Sequence, residues 1–346
     1  MADVRDQQII EFIQKTGECS SKNIFDEAGV SISYSTLKRV LKRLISENLL
    51  SDKGKGKGTK YFISPIYKVI QPIDIENYFK KEIDEREIKE NFDTGLINEV
   101  LSNNCVFTES ELSKLNELHE LFLKNISQLS ENEFKREFER LAIDLSWKSS
   151  QIEGNTYSLL ETEKLLLERE TAAGKTKEEA TMLLNHKDAL DFILDNLDFF
   201  NPLLISKIED IHSILVKELG VERNIRKRRI GISGTNYRPL DNEFMIAEAL
   251  QDTCTLINKK DNVFEKALMA LVLISYIQPF MDGNKRTARI ISNAILINNK
   301  YCPLSFRTVD SIDYKKAMLL FYEQNNISGF KKIFINQFEF AINTYF

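Results

Sequence analysis

The sequence predicts a mainly α-helical chain in two parts, a small basic head and a larger acidic body. Three observations predict it. Only six prolines occur in 346 residues, and between them apolar residues recur mostly three and four apart, the spacing of a buried helix face. Between Ser31 and Lys68, nine Lys and Arg face two acids, a local charge of +7, which leaves −12 for the rest of a chain of net charge −5. Apolar residues make up 42% and charged residues 29%, the balance of a globular protein able to bury a core. The longest apolar stretch, Ala267 to Ile277, is too short to span a bilayer, and "MADVRDQQII" at the N-terminus has no apolar signal core. A cytoplasmic, non-membrane location is expected, with Cys19, Cys105, Cys254 and Cys302 as scattered reduced thiols.

In the head, Gln7 to Thr16 reads as a helix ended by Gly17, and Ser20 caps a second that ends near Gly29. Ser33 or Ser35 caps a third, "TLKRVLKRLISENLL". It sets Leu37, Val40, Leu41, Leu44 and Ile45 on one face and Lys38, Arg39, Lys42 and Arg43 on the other. "SDKGKGKGTKYFIS" then reads as two short strands around a turn carrying Lys55 and Lys57. Three helices followed by a basic hairpin resemble a winged helix-turn-helix. The resemblance implies double-stranded DNA as a partner, with the third helix in the major groove and the hairpin on phosphates. Protein contact through the hairpin and a merely solvated basic face are the competing readings.

Ile66 to Ile75, which includes Pro72, reads as a linker, and the charged run Tyr78 to Glu90 as a surface helix. Helices are then expected at 110–126, 131–149, 159–170, 177–196, 203–219, 242–258, 264–276, 284–298, 311–325 and 330–345. "GISGTNYRPL" is the hairpin candidate of the body, since Gly, Asn and Pro are turn formers. The expected division is 1–68 for the head, 69–130 for a linker and helical connector, and 131–346 for the main domain. The "AGKT" near residue 175 is no phosphate loop, because the first Gly of that motif would fall at Arg169 and no strand precedes it.

The chemistry concentrates in "QPFMDGNKRTAR", residues 278 to 289. A helix apolar nearly all round runs into Pro279, which stops simple continuation. Asp282 and Gly283 make a turn, and Asn284 starts the next helix. A helix start presents unpaired N–H groups and a positive dipole end, which suit a phosphate. Gly283 lets the backbone approach closely. Arg286 and Arg289 lie three apart on the first turns, hence on one face. Two guanidiniums at a helix start can hold a polyanion such as a triphosphate, and Asp282 beside it can hold Mg²⁺.

This stretch resembles the motif of the Fic (filamentation induced by cAMP) family, H-x-F-x-[DE]-G-N-x-R-x-x-R, at every specified position except the first, where Gln278 stands for His. The resemblance spans roughly Ile205 to Asn343 and upstream helices. It implies a Fic-type helical bundle with a hairpin flap that binds ATP and moves AMP to a Ser, Thr or Tyr hydroxyl of a protein. Asp282 would bind Mg²⁺; Gly283, Asn284 and Lys285 would line the anion hole; Arg286 and Arg289 would bind the outer phosphates. "SSQIEG" matches the family's inhibitory pattern [ST]-x-x-x-E-[GN] through Ser149, Glu153 and Gly154, on an inhibitory helix of about 138–155. There the resemblance sets Glu153 against Arg289, where its carboxylate takes the guanidinium that the γ-phosphate needs. Gly234, Thr235, Asn236 and Tyr237 sit where the family has its target-docking flap. Related proteins self-associate, so a homodimer is expected by analogy.

The family's motif His accepts the proton of the attacking hydroxyl. An imidazole can do so near neutrality, whereas the amide of Gln278 cannot take up a proton near pH 7. Three accounts stay open: a binding protein without chemistry, a different chemistry with Glu153 as proton acceptor, or a substituted form of an active transferase. His186 and His212, distant in sequence, are expected to be helical core residues. A separate reading makes the chain a DNA-binding regulator whose body senses nucleotide or dimerises.

Overall fold

The computed structural model describes residues 4–346, without the side chain of Lys57. The head is built from α1 (Val4–Thr16), β1 (Cys19–Ser20), α2 (Ser21–Glu27), α3 (Tyr34–Ser46), β2 (Leu50–Lys53) and β3 (Lys60–Ile63). Ser20 and Ser33 cap α2 and α3 through their side chains. β3 pairs antiparallel with β1 on one side and β2 on the other. Ile9, Ile13, Ile24, Leu37, Leu41 and Leu44 meet in a small core of the head's own.

The body comprises α4 (Tyr67–Ile70), α5 (Ile75–Tyr78), α6 (Glu109–Ile126), α7 (Glu131–Ile152), α8 (Leu159–Glu168), α9 (Lys177–Asp195), α10 (Ile205–Leu215), α11 (Glu243–Lys259), α12 (Val263–Ile277), α13 (Asn284–Asn298), α14 (Ser311–Gln324) and α15 (Ser328–Tyr345). Four of these helices begin at the same local signal. Thr108, Ser130, Ser158 and Thr176 each stand three residues before a Glu, and each pair forms a reciprocal capping box. Every residue of α12 from Ala267 to Ile277 is buried. With no polar face to offer water, this helix becomes the centre around which α11, α13 and α14 pack. Among the described residues, no helix is long and apolar enough to cross a membrane.

Three expectations are corrected. The 66–75 stretch is no free linker: Ile66, Val69 and Ile70 sit in the same core as α12 and α15. Asn326 donates to the carbonyls of Lys68 and Gln71, and Ile327 N–H donates to Val69. The connector up to residue 130 joins that core too, through Leu101, Phe107, Leu115 and Phe122. Residues 78–90 do not form a surface helix. Beyond α5 they hold one short 3₁₀ turn, Ile83–Glu85, and Arg86 is drawn inside to pair with Glu323 at 3.0 Å. "GISGTNYRPL" makes no hairpin ladder. Its one bridge is parallel, between Arg238 and Asn91, so the segment pairs with the connector and not with itself.

Candidate functional site

α12 ends at Ile277, and Gln278 turns left-handed with φ 53°, its N–H still donating to Ile274 O at 3.1 Å. Phe280 is fully buried and lies flat on the His212 ring of α10, centroids 3.6 Å apart. The turn then reaches Gly283 at φ 80°, where a Cβ would come within 3.3 Å of Val216 Cγ1. Both the positive φ and the close approach require glycine there. Gly283 caps α13 without a side chain. The N–H groups of Asn284, Lys285 and Arg286 have no acceptor among the described residues; Thr287 N–H is the first to bond, to Gly283 O at 2.8 Å. Such an open, positively polarised helix start can take an anion.

Arg286 and Arg289 are 1% and 0% exposed. Arg286 Nη2 donates to Asp282 Oδ2 at 3.0 Å. Arg289 lies across α7: Nε donates to Ser149 Oγ at 2.8 Å, and Nη2 to Ser149 O at 2.9 Å and Glu153 Oε1 at 2.7 Å. Lys285 Nζ takes the other oxygen of Glu153, also at 2.7 Å. Gly154, at φ 98° just past the end of α7, stops the helix so that Glu153 is its last side chain. Burial alone would raise the Glu153 carboxyl; Arg289 and then Lys285 outweigh it and hold it down to about 2. Arg286 Nε and Arg289 Nη1 keep donors with no protein acceptor among the described residues. A cleft of about 360 Å³ opens here, walled by Glu153, Ile230–Ser233, Lys285, Tyr314 and Tyr322.

Gln278 lines the same cleft but is 7% exposed. Its Nε2 donates to Ser275 O at 2.7 Å and Tyr322 Oη at 2.9 Å, and its Oε1 accepts from Asn284 Nδ2 at 2.9 Å. Asn284 also holds both the N–H and the carbonyl of Phe280. Its side chain therefore ties the turn from inside, and only its backbone N–H faces the anion position. Asp282 is 65% exposed, with one carboxylate oxygen on Arg286. Among the described residues, no group of three or more His, Cys, Asp or Glu side chains converges as a ready metal site.

The residues read as a flap do not stand free. Tyr237 is buried, its hydroxyl donating to Tyr276 O. Arg86 donates to Gly234 O at 2.9 Å, Asn236 reaches Asp84 at 3.4 Å, and Thr235 Oγ1 accepts from Tyr237 N–H. Ile230 to Ser233, just before them, line the cleft and form no backbone hydrogen bond within the described residues. In the head, Arg43 pairs with Asp6 at 2.6 Å and Glu47 at 3.1 Å. Lys38 donates to Tyr61 Oη at 3.3 Å and Arg39 to Thr36 Oγ1 at 3.5 Å. Lys42 and Lys55 are exposed, and the side chain of Lys57 lies outside the described residues.

Two contributors escaped the sequence reading. His212 is buried on α10, as expected, but its part in the turn was not read. Its ring supports Phe280, and its nitrogens lie 3.1 Å from Arg223 O and 3.0 Å from Asp282 O. Burial lowers its pKa, while its hydrogen bonds to those two carbonyls act the other way. Arg226 is buried against the carbonyl of Gln278 at 2.7 Å. No spacing rule marks either residue, because their acceptors are backbone carbonyls. His186 is buried on α9 as expected.

The profile of the Fic/DOC family matches residues 202–296. The protein adenylyltransferase Fic of Nematostella vectensis is 29% identical over 179 residues, covering 49% of this chain and 40% of that protein. A probable protein adenylyltransferase of Aquifex aeolicus is 30% identical over 102 residues, covering 28% and 31%. The chain thus spans two-fifths or less of these curated relatives. Among solved structures, Fic-1 of Caenorhabditis elegans superposes with a TM-score of 0.60 at 21% identity, over 68% of this chain and 72% of that one. A Fic domain containing signaling protein from Bacteroides thetaiotaomicron gives 0.56 at 20% identity, over 66% and 94%. The matched stretch contains the α12–α13 turn and most of α13, and the likeness of fold extends over two-thirds of the molecule: residues 202–296 carry a Fic/DOC family domain.

Proposed function

We propose that the chain is an ATP-binding protein of the protein adenylyltransferase type, held off by Glu153 and impaired in catalysis by Gln278. The observation that carries this reading is the double pairing of Glu153 with Arg289 and Lys285 at an uncapped helix start. The bare N–H groups of 284–286 and the two arginines suit a triphosphate. A carboxylate in their midst occupies the guanidinium and repels the terminal phosphate. Asp282 fits a Mg²⁺ ion, which is commonly held by one or two carboxylates plus substrate phosphates; its role would be to neutralise phosphate charge. A target hydroxyl entering the cleft would meet the Gln278 amide, whose two protons are engaged and which cannot accept another. The docking edge of the flap falls at Ile230–Ser233, where backbone groups are unpaired beside the cleft, rather than at Gly234–Tyr237. Calorimetry with Mg-ATP on the native chain and on Glu153→Gly tests the reading. Binding at least about tenfold tighter in the variant is expected; no binding in either overturns it.

A second reading rests on the head. Three helices, a three-stranded antiparallel sheet and exposed Arg39, Lys42 and Lys55 suit a winged helix that binds double-stranded DNA. A mobility shift that weakens steeply with salt supports it. No shift at low salt removes it.

A further inference from the structure

We propose that Arg226 is a positioning residue that sets the side chain at 278 relative to the loop beside the cleft; this rests on the nucleotide-transfer reading of that cleft. Its side chain is 1% exposed, and arginines are rarely so buried without a charged partner. No carboxylate pairs with it among the described residues. Instead Nε donates to Gln278 O at 2.7 Å, Nη1 to Arg228 O at 2.8 Å, and Nη2 to Leu240 O. Its own N–H donates to Pro279 O at 2.9 Å.

These acceptors belong to two different pieces of the site. Gln278 and Pro279 form the left-handed turn from which the first motif side chain projects. A non-glycine residue persists in that conformation only where its surroundings over-determine it, and Arg226 supplies two of the bonds that do so. Arg228 and Leu240 are the two ends of the loop whose residues 230–233 wall the cleft. One planar guanidinium, with donors in a fixed fork, therefore closes the loop at its base and pins that base to the turn. A merely cohesive role would be filled as well by apolar packing. A three-way carbonyl clamp instead fixes a distance, from the group at 278 to any segment lying along 230–233.

Amide hydrogen exchange on the full chain tests this without a known target. The amides of Gln278, Phe280 and Arg238 each have a defined acceptor and report turn and loop. In Arg226→Gln, exchange at both segments should rise together by about tenfold or more, while α7, α15 and the head stay unchanged. Arg226→Lys, which reaches fewer carbonyls, should fall between. Loosening of only one segment, of neither, or of the whole body equally would overturn the proposal. Should Glu153→Gly bind no Mg-ATP, the nucleotide reading falls, yet the exchange pattern still decides what Arg226 does.

Discussion

The start of α13 and the basic face of α3 carry similar chemistry in different surroundings. Arg289 is fully buried and clamps Glu153 at 2.7 Å. Arg43 is 44% exposed and holds Asp6 at 2.6 Å. Distance does not distinguish the pairs, and both acids are largely buried; burial of the arginine does. In water an ion pair is screened and worth about 1 kcal/mol or less. In the interior, removing one partner leaves the other charge stranded, at a cost of about 3–5 kcal/mol. On the proposed function the body pair is a two-position device, in which Arg289 holds either Glu153 or a phosphate. In the head pair only the arginine reaches water: Asp6 is 7% exposed, and it is the removal of the acid, not of the arginine, that leaves an exposed and solvated charge.

The largest effect is expected where burial and chemistry coincide. In a Glu153→Gly chain, Gln278→His should raise incorporation of labelled AMP by about 10²–10⁴-fold, the usual worth of a general base. The measurement sharpens the contrast because it separates release of the charged clamp from restoration of proton transfer. If labelling stays at background in the double variant, the defect is not at 278.

Stability gives the next contrast. Glu153→Gln should destabilise the body by about 3 kcal/mol, near the low end for a buried pair because its side chain is 16% exposed. Urea unfolding followed by the single tryptophan, Trp147 on α7, reads it. Asp6→Asn in the head should cost about 1 kcal/mol or less, read by amide exchange in α1 and α3. Equal costs would break the comparison. The acid behaviour follows from the same clamp. A carboxyl held down to about 2 contributes stability that is present above its unfolded value and lost as pH falls through the folded one. Mg-ATP affinity of the native chain should therefore not rise between pH 8 and pH 5 through Glu153.

How far the molecule could be read in advance depended on the range of each contact. The motif was legible because its pieces are local: Pro279, Gly283 and the arginines act within twelve residues. The head helices capped by Ser20 and Ser33 were legible for the same reason. Ser149 and Glu153 share a face by spacing alone, but setting Glu153 against Arg289 needed the family resemblance, since 136 residues separate them. Lys285 as a second partner went unread because a lysine in a phosphate motif is assumed to face the ligand. Arg86 was assigned to a surface helix by its charged neighbours, yet Glu323 lies 237 residues away. Turn-forming Gly, Asn and Pro at 234–239 read as a hairpin, yet only Ser233 and Gly234 make a turn. They could not show that this segment would pair with Glu90 and Asn91, far upstream.

The smallest effect is expected on the head, and it bears most directly on the comparison. If α3 reads DNA, each lysine or arginine resting on a phosphate adds about one to the slope of log affinity against log salt. Lys42 is exposed with no ion-pair partner among the described residues, so Lys42→Ala should lower that slope by about one. Arg43 already pairs with Asp6 and Glu47, and Arg43→Ala should change it by much less, because forming a phosphate contact would first require giving up two acids. Mobility shifts over a salt series measure both. Equal changes in slope would mean that the Arg43 pair opens on the duplex, and that an exposed ion pair in this chain can exchange partners as readily as the buried one is proposed to do.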